Sequence, residues 1–408
     1  MQTGIAFPPT LENLLVLRAL GEKAAAKASR GYLSGAELAD VTKAMLELSD
    51  RFNGIDASPL SDYMQSRWHR AAYYLYFLPA NFAKAWAVLS ELAACVPGRD
   101  NLSILDVGSG PGSLSLGALD YFVRRHGVKR LSITALDSSR LALEDLRSLV
   151  RGHAESLAAE GFAADVSVET RTVDVAAATP PAGAWDVVLF GDSLNELWRG
   201  AGDAVGERAR LLASYSSNLA ADGSTVVIEP ALKEVSRALQ AVRDGLVARH
   251  GLRIYAPCLR QNECPMLSQR RERDWCHTAA LWMRPRIVRR IDQATGRNKH
   301  VVKFSYLVAR KAPGYPVEPP GEGWFFRVVG DRITEKGKAH MLLCGERGCV
   351  TATLLTRDET ESNAAFTRLY RGDVVAIDSL EERKDGLRVR GDSSVHLLRR
   401  FSTERREE

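Results

Sequence analysis

Apolar positions recur at helical spacing through the first 95 or so residues and then give way to short, nearly continuous apolar runs. Ser34 and Glu37 fit a capping box, after which Leu38, Val41, Met45 and Leu48 repeat every three or four residues. A second stretch, SDYMQSRWHRAAYYLYFLPANFAKAWAVLSEL, carries an aromatic stripe, and Pro79 is placed to break or kink it. That stripe reads as core rather than as a base-stacking platform.

From Asn101 the period changes. The runs 103–109, 132–137, 166–173, 185–191, 224–230, 252–257 and 300–311 read as strands, with helical material between most of them. Strand–helix alternation with apolar strands predicts an α/β fold: a seven-stranded parallel-type sheet covered on both faces. Between the sixth and seventh strands lies a segment rich in cysteine and arginine, read as an insertion over 256–299. A Pro/Gly-rich linker begins at Pro313, and beyond it five or six short strands separated by turns suggest a small β-barrel, possibly OB-like. The expected organisation is therefore an N-terminal helical region (1–98), an α/β domain (99–312) and a small β domain (313–408).

Composition narrows the class. With 45% hydrophobic and 26% charged residues over 408 positions, the chain is globular rather than disordered. No apolar run reaches the roughly 18–20 residues of a membrane helix, and no signal or transit peptide is visible, so a cytoplasmic protein is expected. Net charge is only +5, yet the stretch from Cys258 to Lys311 holds 13 Lys/Arg against 4 Asp/Glu. Concentrated positive charge suits a polyanion. A solvated basic loop explains it equally well.

Chemistry enters with Leu105-Asp106-Val107-Gly108-Ser109-Gly110-Pro111-Gly112, a glycine loop between a predicted strand and a predicted helix. Glycines there let the backbone turn tightly and approach a ligand at the carboxyl end of the first strand. Asp106 before the glycines favours S-adenosylmethionine, whose ammonium benefits from a carboxylate, over a dinucleotide. Asp137, closing the second strand, suits a ribose diol, and Asp174 after the third suits an adenine amino group. The assembled pattern resembles class I S-adenosylmethionine-dependent methyltransferases over roughly 100–311, with a Rossmann-like fold. After the fourth strand, the Asn/Asp-Pro-Pro-aromatic turn of many base-modifying methyltransferases is replaced by Gly191-Asp192-Ser193-Leu194-Asn195-Glu196. Asp192, Asn195 and Glu196 are candidates to orient a substrate, with helix capping as the equal alternative for Asn195 and Glu196.

Five of the six cysteines fall in the last two fifths of the chain, which points to metal binding or catalysis rather than a disulfide framework. Cys258-x5-Cys264-x11-Cys276, with Cys344 68 residues later, supplies four thiolates for a zinc ion or an iron–sulfur cluster. Neither interval is a short zinc knuckle, and wide spacing suits a cluster's larger cage. Cys349 and His277 are reserve ligands, Cys349 reading more naturally as a small packed residue, and Cys95 as structural.

These segments, with YLYFLPANFAKAWAVLSEL, FGDSLNEL, APCLRQNECP, DWCHTAAL and LLCGERG, make the chain resemble the mitochondrial small-ribosomal-subunit-associated methyltransferase-like proteins and their bacterial relatives. The resemblance implies that Cys258, Cys264, Cys276 and Cys344 ligate a 4Fe–4S cluster and that the protein assists small-subunit assembly; it counts against methyl transfer. A longer Cys264–Cys276 gap departs from the family pattern. Partners would be small-subunit ribosomal RNA and proteins, with Arg270, Arg271, Arg273, Arg286, Arg289 and Arg290 on the RNA phosphates, within a basic surface also drawn from Arg260, Arg284, Arg297 and Lys299. Two alternatives stand beside this: an active ribosomal RNA methyltransferase, and a small-molecule methyltransferase stapled by zinc. Oligomeric state is not legible.

Overall fold

The computed structural model describes residues 4–22, 33–54, 60–96, 98–268, 273–318, 323–384 and 386–401. Strand β1 (Ile5–Ala6) is followed by helices α1 (Pro9–Leu20), α2 (Gly35–Phe52), α3 (Arg67–Ala72) and α4 (Leu78–Leu89). The capping box forms as the pattern requires: Glu37 N–H donates to Ser34 Oγ at 3.2 Å and Ser34 N–H to the Glu37 carboxylate at 3.1 Å. Between α3 and α4, Tyr73–Phe77 widens into a π-helical turn, and Pro79 occupies the first turn of α4, where its missing N–H costs nothing. The aromatic stripe is core, with Tyr74, Tyr76 and Phe82 buried.

The alternating region follows as β2 (Asn101–Val107), α5 (Ser113–His126), β3 (Arg130–Asp137), α6 (Arg140–Ala159), β4 (Asp165–Thr172), β5 (Trp185–Gly191), α7 (Ala204–Ser216), β6 (Leu219–Pro230), α8 (Lys233–His250), β7 (Arg253–Ala256), α9 (Pro265–Ser268), β8 (Thr278–Met283), α10 (Arg286–Thr295) and β9 (Val301–Arg310). The sheet order is β1-β8-β9-β6-β5-β2-β3-β4, with β7 also pairing β9. Five strands from β4 to β6 are parallel, and β9 lies antiparallel against β6. Order reverses between β2 and β5, where Leu105 faces Val188 across the ladder. Such a switch point opens a crevice at the carboxyl ends of the strands.

The expected seven-stranded sheet is corrected to a mixed sheet of nine. The extra strands are β1, too short to leave a pattern, and β8, whose TAALWM run lies inside what the sequence presents as an insertion. Both faces are covered. Ile104, Val187 and Leu189 join the core formed with α1–α6 and α10, whereas Leu105, Val188 and Phe190 alternate into a second core under α7 and α8. Among the described helices none is long and apolar enough to cross a membrane.

The C-terminal strands are β10 (Trp324–Val328), β11 (Ile333–Glu335), β12 (Lys338–Gly345), β13 (Gly348–Leu355), β14 (Val374–Ile377), β15 (Glu381–Arg383), β16 (Gly386–Val389) and β17 (Val395–Arg399). They form an eight-stranded sheet in the order β15-β16-β13-β12-β10-β14-β17, with β11 on β12. Among the described residues no pairing joins β15 to β17, so the expected closed OB-like barrel is not what the ladder forms. The surplus over six strands comes from three-residue edges such as Glu381–Arg383, too short and polar to register as apolar runs.

Candidate functional site: a switch-point cavity and a four-thiol cavity

The glycine loop is set by β2 and β3. Gly108 and Ser109 donate their N–H groups to Leu136 O at 2.8 and 3.0 Å, folding the loop back over the second strand. Gly108 has φ +67°, and a Cβ there would stand 2.9 Å from Ser193 Cβ, so this position requires glycine. Gly110, at φ +53°, has open space in front of it. Gly112 caps α5 and packs on Leu146, outside the cavity wall.

A cavity of about 580 Å³ opens beside this loop, within the roughly 300–1,000 Å³ usual for small-molecule sites. Asp106, Gly108, Gly110, Asp137, Asp174, Asp192, Asn195 and Glu196 all border it. Their chemistry differs from the sequence reading in places. Asp106 is buried and accepts from Ser115 Oγ at 2.6 Å and Ser115 N–H at 3.2 Å, tying β2 to α5. Burial pushes its carboxyl up to about 7. Asp137 accepts from Gly110 N–H at 2.7 Å and Ser139 N–H at 2.8 Å, and burial raises its pKa too. Asp174 accepts from Ala176 N–H at 3.0 Å.

On the far wall Asp192, held at φ +52°, pairs with Lys84 at 3.1 Å. Asn195 neither caps a helix nor presents a free amide: its Nδ2 donates to Glu229 Oε2 at 2.6 Å, and its Oδ1 accepts from Arg199 at 3.1 Å. Glu196 is pushed up to about 7 by burial, with Asp192 and Asp137 adding repulsion. Glu229 is pushed up to about 8 by burial and by Asp192. Sequence reasoning missed Glu229 and Lys84, and it placed Lys299 on a basic surface, whereas its ammonium lies 4.7 Å from the Tyr76 ring centroid at the cavity wall and is lowered to about 8 by desolvation. Glu229 did leave a signal, an acid closing the apolar run STVVIEP at a strand's carboxyl end.

The basic segment does not form one face. Arg297 and Lys299 border the large cavity, Arg284 pairs with buried Asp292 at 2.6 Å, and Arg260 borders a second cavity. Arg286, Arg289 and Arg290 lie on α10, the first two exposed, while Arg273 is exposed beside the segment 269–272. Arg270 and Arg271 lie outside the described residues, as does the side chain of Cys95.

That second cavity, of about 60 Å³, lies where the two sheets meet. Cys258 follows β7, Cys264 precedes α9, Cys276 precedes β8, Cys344 lies on β12, and all four border it. Cys264 N–H donates to both Asp244 carboxylate oxygens at 3.0 Å, and Arg243 donates to Arg260 O at 2.6 Å, shaping the loop between the first two cysteines. Burial raises the Cys258 and Cys276 thiols and takes Cys264 up to about 12. For Cys344 the hydrogen bond with Cys349 is the first cause and burial the second. Among the described residues no group of three or more His, Cys, Asp or Glu stands at the spacing that holds a metal ion.

The walls themselves are unsatisfied. Arg243 Nε, Arg260 Nε and Arg327 Nε, with Ser236 Oγ, Thr278 Oγ1 and the Gln240 amide, are buried without a partner, and all six residues border this one cavity. Native interiors seldom leave such atoms orphaned. Three arginine Nε–H donors and four sulfurs border the same cavity.

Comparison with known proteins then places the chain. The model of the family described as mitochondrial small ribosomal subunit Rsm22 matches residues 67–375. The chain belongs to that family. The match takes in α3 and α4, the whole glycine-loop region, the four cysteines and β10 to β13 of the second sheet, so the four-thiol cavity lies within the family's span, while Ser49, Phe52, Asn53, Tyr63 and Met64 of the large cavity's wall precede it. No curated protein matches. Among solved structures, YcgJ from Bacillus subtilis is 16% identical at TM-score 0.24, over 36% of this chain and 50% of that one. A putative S-adenosyl-L-methionine-dependent methyltransferase, mmp1179 from Methanococcus maripaludis, is 15% identical at 0.26, over 57% and 88%. The plantazolicin methyltransferase BpumL, solved with SAH, is 11% identical at 0.30, over 74% and 96%. The fold assignment for this Rsm22-family chain rests on its own strand order.

Proposed function

We propose that this chain is a small-ribosomal-subunit assembly factor that binds ribosomal RNA, holds S-adenosylmethionine at the switch-point cavity and carries a 4Fe–4S cluster on Cys258, Cys264, Cys276 and Cys344. The observation that carries the reading is the second cavity. Four thiols from four separate segments border it together with three arginine Nε–H groups that have no other partner. The residues fit such a group: thiolates are the ligands of iron–sulfur clusters, and N–H donors to the sulfurs stabilise their negative charge. A zinc ion is the poorer fit, because neither interval between the first three cysteines is a short zinc knuckle. With the cluster in place, β12 is tied to the segment between β7 and β8, joining the C-terminal module to the α/β body. S-adenosylmethionine supplies a methyl sulfonium when bound; at that site Gly110 leaves room, and Asp137 and Asp174 offer carboxylate oxygens.

Exposed Arg286 and Arg289 on α10, and exposed Arg273 before β8, are the candidate phosphate contacts, which position without reading sequence. A methyltransferase acting on ribosomal RNA is the second reading, favoured by Glu196, a carboxyl raised to about 7 that borders the cavity. Anaerobic purification with iron, sulfide and zinc analysis tests the first reading. Brown protein with equimolar iron and sulfide, lost in Cys264→Ser, supports it; colourless, zinc-loaded protein overturns it. Transfer of labelled methyl to small-subunit RNA, abolished by Gly110→Arg, would replace the assembly-factor reading with the enzymatic one.

A further inference from the structure

The fifth cysteine of the C-terminal half has a position that the ligand set leaves unused. Cys349 is buried, on β13, directly opposite Cys344 in the antiparallel register with β12. The two strands join through a two-residue turn, Glu346-Arg347, between the paired Gly345 and Gly348. Directly opposed residues in an antiparallel ladder have Cα atoms about 4.5 or 5.5 Å apart, depending on whether the pair is hydrogen-bonded. Either value lies within the roughly 4.4–6.8 Å that a disulfide spans, so no backbone movement is needed. The two thiols are in hydrogen-bond contact. Both cysteines pack against Cys264, Met266 and Val329, Cys344 being the less buried residue of the two.

We infer that Cys344 and Cys349 form a peroxide-driven disulfide that is mutually exclusive with Cys344 serving as a metal ligand. Oxidation begins at Cys344, the less buried residue of the pair. The Cys344 thiolate displaces hydroxide from hydrogen peroxide, giving a sulfenic acid; the O–O bond breaks, taking up two electrons from sulfur, and with a proton the hydroxide leaves as water. The Cys349 thiolate then attacks the Cys344 sulfur, the S–O bond breaks, and its hydroxide combines with the Cys349 proton as a second water. The product sulfur has no thiolate to offer, so the cavity loses one of its four ligands until a dithiol reduces the bond. Short-range cross-strand disulfides belong to the reducible class, which makes the change reversible. The inference rests on the ligand assignment only for its consequence; the bond itself needs only the hairpin.

The test uses the full-length, metal-free protein. Trypsin cuts after Arg347, between the two cysteines, so the disulfide joins peptide 339–347 to peptide 348–357. After treatment with hydrogen peroxide and alkylation, mass spectrometry should show that cross-linked pair, two hydrogens lighter than its parts, and dithiothreitol should release it. Cys349→Ala should abolish the pair and leave Cys344 as sulfenic or sulfinic acid. Cys344 joined to a different cysteine, or Cys349 still fully alkylated when Cys344 is oxidised, overturns the inference. Oxidised wild type should then fail to take up iron and sulfide until dithiothreitol reduces it, and Cys349→Ala, reduced the same way before its Cys344 passes the sulfenic stage, should take them up equally. If the cross-link forms but reduced wild type never takes up iron, the cluster reading fails and the disulfide stands. If reduced protein takes up iron but no cross-link appears, the reverse holds.

Discussion

Arg327→Met probes the junction that holds the two sheets together. Arg327 rises from β10 and is buried, as is Glu91 beneath it; the guanidinium meets the carboxylate twice, at 2.9 and 3.3 Å. The same Nη1 donates to Gly372 O at 2.9 Å, and Tyr306 donates to Glu91 at 3.2 Å. Methionine keeps much of the volume and removes every charged donor. Glu91 is then left with one hydroxyl for a buried negative charge, a situation that costs about 3–5 kcal/mol. That is a large share of the roughly 5–15 kcal/mol that keeps a protein folded. Urea unfolding followed by tryptophan fluorescence and by circular dichroism should show the loss. Adding Glu91→Leu removes the stranded charge, so the double variant should recover at least half of it, with a coupling of about 1–3 kcal/mol. A single variant costing under about 1 kcal/mol, or a double variant equal to the sum of the singles, would refute the claim that this pair bridges the modules.

Three further outcomes follow from the large cavity and the basic helix. Gly110→Arg should lose S-adenosylmethionine binding in equilibrium dialysis at a folding cost of about 1–2 kcal/mol, since φ +53° disfavours any side chain; unchanged binding would move the cofactor elsewhere. Glu229→Gln reads the raised carboxyl by its pH dependence. A carboxyl whose folded pKa is about 8 against 4.5 holds its proton in the folded state, so wild-type stability falls as pH rises through that window. The gap between wild type and Glu229→Gln should therefore shift by a few kcal/mol in favour of glutamine between pH 5 and pH 9, and a pH-independent gap would contradict it. Arg286→Gln with Arg289→Gln should weaken small-subunit RNA binding and lower the log–log salt slope by about 2; an unchanged slope would place the RNA elsewhere.

The parallel sheet was legible because its strands are buried on both faces and so written as apolar runs, and the glycine loop because its context is strand-then-helix. β8 was not, since TAALWM sits between cysteines and arginines that drew the eye to chemistry. The cysteines' convergence was foreseeable from their clustering, and all four do border one cavity. The basic surface was read too simply. A run of arginines says nothing about which of them turn inward, and Arg260, Arg284 and Arg297 each serve a separate interior or cavity wall. Arg243 lies on an ordinary amphipathic helix and left no trace, whereas Arg327, a charge inside WFFRVV, was a visible anomaly. Asp106 illustrates a different limit. Its position beside the glycines suggested a ligand, and its neighbour Ser115 proved to be the partner.

The orphaned atoms around the thiols carry the argument one step further, to where the metal-free protein should loosen. A buried donor without a partner costs about 1–3 kcal/mol, and those of Arg243, Arg260 and Arg327 border a space of about 60 Å³ that only a few waters fill once the centre is gone. The thiol segments between β7 and β8 belong to no sheet: α9 is a single turn, and the chain around it is held by side-chain bonds from Arg237, Arg243 and Asp244 on α8. The five parallel strands have apolar cores of their own on both faces and do not depend on the junction. Stripping the centre should therefore accelerate amide exchange over 257–278 and around Cys344 while β2, β3 and β5 keep their protection. Uniform acceleration would mean that the centre stabilises the whole chain as one unit; no change at all would mean that the cavity is satisfied by something other than a metal-held group.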